Sequence, residues 1–201
     1  MSWSKKPDAS AVFLNVPYSI SYEKIFVAIV ASLVALGRKP HTVVEISDKG
    51  QGRLKRIFKL MRECGASIHD ISATGLPARF NMPFELGMAY AIKQINLRHN
   101  FFVFEKKPYR IDMTLSDLKG IDPKIHHGTV QGAICAVLEA MGKPARDPTV
   151  KEIYQLYRKL WKLTPGLKKR NAKKIIFGRI IFQQLVDSAV TIAKTNGLIK
   201  E

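Results

Sequence analysis

Glu85 is the one acid in Arg79-Phe80-Asn81-Met82-Pro83-Phe84-Glu85-Leu86-Gly87-Met88-Ala89-Tyr90, a largely apolar stretch. A carboxylate at the mouth of an apolar pocket can act as nucleophile or as general acid or base, since burial raises its pKa while a helix N-terminus lowers it. A second reading stays open: an acid in the opening turn of a helix is favoured by the helix dipole without doing any chemistry. Asp70 lies at the end of the apolar run Ala66-Ser67-Ile68-His69-Asp70-Ile71, and its neighbour His69 must point to the opposite face of a strand. Asn15 and Tyr18 follow another apolar run. They would face the same crevice, as ribose or phosphate contacts or as loop caps. His126-His127 has no third ligand at useful spacing, so no metal site is expected. Gly50-Gln51-Gly52 follows a second strand and lacks the third glycine of a dinucleotide fingerprint. Cys64 and Cys135 form no CxxC pair and read as reduced, buried thiols.

Alternating elements must position these groups. Ala11 to Val16, His41 to Ile46, Ala66 to Ile71 and Asn100 to Glu105 read as strands. Between them, Tyr22 to Leu36 with Ser21 as N-cap, Arg53 to Cys64, a helix with Pro83 in its first turn, and Thr129 to Met141 read as helices. Connections too long for hairpins predict an α/β fold, a parallel sheet of about four to five strands flanked by helices in the flavodoxin/Rossmann manner. In such a sheet the junctions from strand to helix bind ligands.

The domain expected over 11–142 is followed by a linker and a basic helical extension over 150–201. That extension is read as a helix from Val150 to Leu163, a break at Pro165-Gly166, a charge cluster and a helix from Ile175 to Ala193. The chain of 201 residues has a formal net charge of +17, and residues 143–201 hold fourteen Lys/Arg against four acids. Such one-sided charge implies a polyanionic partner such as nucleic acid, with Lys168, Lys169, Arg170, Lys173 and Lys174 on phosphates; a solvated basic face over a packed helical cap is the alternative. The most apolar early stretch, Ile25 to Leu36, is too short to span a bilayer, so no membrane association and a cytoplasmic location are expected.

The segment Phe84-Glu85-Leu86-Gly87-Met88-Ala89, after a strand ending at Asp70, resembles the nucleoside 2-deoxyribosyltransferase family and its relatives, which include nucleotide N-glycosidases and TIR-like NAD-cleaving domains. Val12-Phe13-Leu14-Asn15-Val16-Pro17-Tyr18 is similar to that family's opening strand and ligand-facing loop, and the likeness covers roughly residues 11–142. It extends to a group of uncharacterised bacterial proteins with S-I-H-D-L-S and R-F-N-M-P-F-E-L-G segments. The resemblance implies Glu85 as catalytic carboxylate and Asp70 as the acid that touches the sugar or orients the nucleophile. Asn15, Tyr18, Arg79 and Asn81 are the expected ligand contacts. The family's D-S-G-T type segment is replaced by Ala78 to Pro83, and cationic Arg79 there implies a phosphorylated ligand, a nucleotide or NAD, as substrate rather than as cofactor. The function implied is N-glycosidase or ribosyl transfer, with a role in bacterial antiviral defence by analogy and a homo-oligomer or partner protein completing the site. A nucleotide-sensing or nucleic-acid-binding module without catalysis is the alternative.

Overall fold

The protein is described here by a computed structural model covering residues 6–45, 52–73, 80–111, 115–118, 120–142 and 148–200. Five parallel strands form one sheet: β1 (Asp8–Asn15), β2 (Lys39–Thr42), β3 (Cys64–Asp70), β4 (Asn100–Glu105) and β5 (Lys124–Ile125), in the order β2-β1-β3-β4-β5. Six long helices accompany them: α1 (Glu23–Ala35), α2 (Arg53–Glu63), α3 (Asn81–Ile95), α4 (Val130–Met141), α5 (Val150–Arg170) and α6 (Arg179–Thr195). The chain is thus an α/β protein with a parallel sheet flanked by helices on both faces.

Alternation along the strands decides the two layers. Val12, Leu14, Ile68 and Phe104 pack with α1, α4, α5 and α6, whereas Ala11 and Phe13 pack with α2 and α3. Helix α1 is apolar all round because it has the sheet on one side and α5 and α6 on the other; twelve of its thirteen residues are buried. The basic extension therefore shares the main hydrophobic core: Ile153, Leu156, Leu160, Ile181, Phe182 and Leu185 belong to the same cluster as Val12 and Phe26. Ile176 is buried as well, while Ile180 is 63% exposed.

Several expected boundaries are corrected. The second strand spans Lys39–Thr42 rather than His41 to Ile46, because Glu45 Oε1 takes the Thr42 N–H at 2.6 Å and turns the chain into a short 3-10 helix, Val43–Glu45. Ile46, Asp48, Gly50 and Gln51 lie outside the described residues. Ser21 does not cap α1; Tyr22 holds the N-cap position, with no side-chain cap bond, after the 3-10 turn Ile20–Tyr22. Helix α5 runs unbroken through Pro165 to Arg170. Proline removes the bond that its N–H would give to Trp161 C=O, and the Thr164 hydroxyl donates to that carbonyl instead at 2.8 Å. Helix α6 begins at Arg179, since Ile176 and Phe177 are spent on docking the preceding segment: Ile176 N–H donates to Glu23 and Phe177 stacks on Tyr18.

Candidate active site

The sheet order places a topological switch point between β1 and β3, where successive crossovers leave in opposite directions and the strand C-termini open a crevice. Asn15 ends β1, Asp70 ends β3, and α3 carries Glu85 to the same edge.

Helix α3 starts at Asn81, which puts Glu85 in its second turn rather than its first. The N–H groups that lack helical partners lie before it, and the first α-helical bond runs from Phe84 N–H to Phe80 C=O. A dipole-capping role thus loses its geometry. Glu85 is only 6% exposed and accepts no hydrogen bond from any described residue. Burial pushes its carboxyl up to about 7, against a smaller opposing pull from the Arg53 guanidinium. Arg53 opens α2 and was not singled out from the sequence. Tyr18 is held in the same field: burial raises its phenol most, the Thr42 hydroxyl and Arg53 lower it, and Glu85 raises it. Gly87, two residues on and about 200° round the helix, faces open space, with no atom outside its own helix backbone within 4 Å of a Cβ built on it. Phe80 and Phe84 stand exposed at the same end of α3.

Asn15 is fixed by a directional chain of hydrogen bonds. His99 Nδ1 must donate to Cys64 C=O, at 3.0 Å, because a carbonyl only accepts; its Nε2 therefore accepts from the Ser67 hydroxyl at 3.0 Å. Ser67 in turn accepts from His69 Nε2 at 2.9 Å, which leaves His69 Nδ1 to accept from Asn15 Nδ2 at 3.1 Å. The second hydrogen of that amide goes to Met82 C=O at 3.2 Å, in the first turn of α3. Both amide hydrogens are spent, and Asn15 Oδ1 is left as the acceptor at the crevice edge. Burial lowers the His69 imidazole to about 3 and also lowers His99, so both rings are neutral as the chain requires.

Asp70 belongs to the other layer. Fully buried, it accepts from the Tyr22 hydroxyl and from Ser72 N–H at 2.9 Å, and its Oδ2 lies 3.0 Å from His126 Nε2. Gly128 N–H donates to His126 Nδ1 at 3.0 Å, which keeps the ring proton on Nε2, the nitrogen that is hydrogen-bonded to Ser72 Oγ at 3.0 Å. The loop that presents His126 is held tightly: His127 and Gly128 adopt positive φ of 54° and 67°, and a Cβ on Gly132 would sit 2.1 Å from His126 C=O. Ser72, His126 and Asp70 invite comparison with a nucleophilic triad. Ser72 Oγ and Asp70 Oδ2 both lie 3.0 Å from the same nitrogen, however, whereas a triad needs hydroxyl and carboxylate on opposite ones. The cluster anchors Ser72 and the β3 terminus and does not activate Ser72.

Of the expected site residues, Asn15, Tyr18 and Glu85 gather at the crevice. Asn81 is exposed at the start of α3, and Asp70 is separated from Glu85 by the sheet. Arg79 lies outside the described residues. Tyr22 and His126 went unrecognised because their link to Asp70 spans 48 and 56 residues of chain, and Tyr22 reads as an ordinary apolar helix position. Among the described residues no group of three or more His, Cys, Asp or Glu side chains could hold a metal ion, and no helix is long and apolar enough to cross a membrane. Cys64 and Cys135 are free thiols, and burial pushes Cys64 up to about 12, which keeps it un-ionised and inert.

No protein-family model, curated protein or solved structure matches the chain.

Proposed function

We propose that the protein cleaves the bond between base and sugar in a nucleotide or NAD, with Glu85 acting on the anomeric carbon. The observation that carries this reading is a buried carboxyl with no hydrogen-bond partner among the described residues, titrating at about 7, at the switch-point crevice beside Asn15 and Tyr18. Ionised, Glu85 attacks the anomeric carbon or stabilises its developing positive charge; the base departs with the bonding electron pair, and water then takes up the sugar. Asn15 Oδ1 is an acceptor suited to a sugar hydroxyl. Arg53 is a cation beside the carboxylate and, with Arg79, is suited to a substrate phosphate. Asp70, held by Tyr22 and His126, is a positioning residue that shapes the end of β3. Action in the cytoplasm, a second copy or partner closing the open side of the site, and a role in antiviral defence complete the proposal by analogy.

The test incubates the full chain with NAD and a panel of nucleoside mono-, di- and triphosphates and follows free base by chromatography. Wild type is expected to release base from at least one, and Glu85→Gln to lower the rate by 100-fold or more. Equal inertness of wild type and variant across the panel overturns the reading. One observation favours a second reading, a nucleotide sensor without turnover: Asp70 is held within its own network on the other face of the sheet, so β3 supplies no acid to assist Glu85. Ligand-induced thermal stabilisation with no base release is its expected signature.

A further inference from the structure

Helix α5 is basic along one exposed line. Lys151, Arg158, Lys162 and Lys169 are spaced 7, 4 and 7 residues apart, all exposed, which keeps them within about 40° of one another around a 3.6-residue helix and spreads them over about 27 Å. None forms an ion pair with a described residue. The structure diverts part of the cluster expected from sequence: Lys168 is half-buried in an ion pair with Glu23 and is not free for phosphate, and Lys159 donates to Asn196 Oδ1 at 2.8 Å. The one acid of the helix, Glu152, is occupied in a capping box with Thr149.

Beside this line lies a groove of ≈ 490 Å³ between α5 and the start of α1. Trp161, Pro165 and Ile20, the last 67% exposed, give it apolar walls, and Lys24 stands at its edge. Trp161 is only partly buried and stacks on Tyr157 with ring planes 16° apart, so its ring is braced on one side. A cationic track beside a braced aromatic ring in a groove is the arrangement that binds single-stranded nucleic acid, phosphates on the track and bases against the ring. An anionic membrane fits less well: an interfacial helix needs an apolar face to insert, and the apolar face of α5 is buried against α1 and α6.

We infer that the outer face of α5 with the Trp161 groove binds single-stranded nucleic acid, the phosphates lying along Lys151, Arg158, Lys162 and Lys169 and a base entering the groove. The site is separate from the Glu85 crevice and does not depend on it.

The test measures binding of the full chain to a fluorescent 12-nucleotide single strand by anisotropy across a salt series, with a duplex of the same sequence and phosphatidylserine vesicles in parallel. Emission from Trp161 is read in a Trp3→Phe background. Arg158→Gln/Lys162→Gln is expected to flatten the slope of log affinity against log salt by about 1.4, while Arg98→Gln/Lys107→Gln, which removes the same charge elsewhere, leaves the slope nearly unchanged. The single strand is expected to quench Trp161 and to bind about 5-fold or more weakly to Trp161→Ala, as the loss of one stacked base would give. Because Trp161→Ala could disturb the fold, quenching in the folded Trp3→Phe protein stands as the independent readout. Equal slope changes in the two double variants, no quenching of Trp161, or capture by vesicles without binding of the single strand each overturns the inference.

Discussion

A carboxyl that titrates at about 7 inside the folded chain makes Glu85 a source of instability as well as of chemistry. Its reference value is 4.5, so the folded state favours the protonated form; that contribution is fully present below pH 4.5 and is lost as pH rises through about 7. The amount lost is on the order of 3 kcal/mol. Glu85→Gln keeps the volume and removes the charge, so it should raise Tm at pH 8 by about 6–12 °C and leave it nearly unchanged at pH 5. Base release by the wild type should follow the opposite limb, rising with pH through about 7 because a nucleophile must be ionised; calorimetry and a pH–rate profile read the two effects separately. His69 works in the other direction. Its folded value of about 3 lies below the reference 6.5, so its contribution is present above pH 6.5 and is lost as pH falls toward 3. Between pH 4.5 and 6.5 the two residues oppose each other. In the Glu85→Gln background the acid-side decline in Tm should therefore begin near pH 6.5, and a second change, His69→Gln, should flatten it. A decline that starts only below pH 4 would count against a neutral buried histidine chain.

The elements owe their placement to a few close approaches that hydrophobic periodicity does not register. Gly65 is one: a Cβ there would lie 2.8 Å from Ala9 Cα, where β3 begins alongside β1. Gly65→Ala should destabilise by about 1–3 kcal/mol, measured by urea unfolding. Gly132→Ala, 2.1 Å from His126 C=O, should in addition displace the His126 loop and loosen the Asp70 anchor, visible as a shifted His126 imidazole resonance. A full-strength His126–Asp70 contact in that variant would show the loop to be more compliant than its geometry implies. The alternating strands and helices were legible because period and composition agree over β1, α1, β3, α3 and β4. What was not legible depended on single side-chain contacts or on elements too short to carry a period. Glu45 ends β2 early by taking the Thr42 N–H, Thr164 lets α5 pass through Pro165, and β5 is two residues long, too short for any pattern. The same holds for the site: Asn15, Tyr18 and Glu85 follow from where strands end, whereas Arg53, Tyr22 and His126 reach the same edge only through the fold.

On the scale of the whole molecule, the basic extension is structural before it is anything else. Phe26 of α1 meets Phe177 and Phe182 at centroid distances of 5.0 and 5.9 Å, Tyr18 of the crevice loop stacks on Phe177 at 4.9 Å, and buried Glu23 accepts from both Lys168 and Ile176 N–H. Removing α5 and α6 would expose one side of α1 and leave Glu23 without the two donors that compensate its burial. Burial of Ile153, Leu156, Leu160, Ile181, Phe182 and Leu185 alone is worth about 9–18 kcal/mol at roughly 1.5–3 kcal/mol per side chain, an upper bound that is comparable with the whole stability of an ordinary domain. A fragment ending at Gly142 should therefore fail to fold on its own, showing no cooperative urea transition and strong binding of a hydrophobic dye, although it keeps every strand and the Glu85 helix. A cooperative transition with a slope appropriate to its length would show that the sheet is self-sufficient. Tyr18 lies between the two regions, with its ring on Phe177 and its phenol in the field of Glu85. Phe177→Ala should thus perturb ligand binding at the crevice as well as stability, lowering affinity for whichever nucleotide stabilises the wild type while leaving the pH at which Glu85 titrates nearly unchanged. Isothermal titration of that nucleotide into wild type and variant checks this, and an unchanged affinity would mean that the crevice loop holds its shape without the extension.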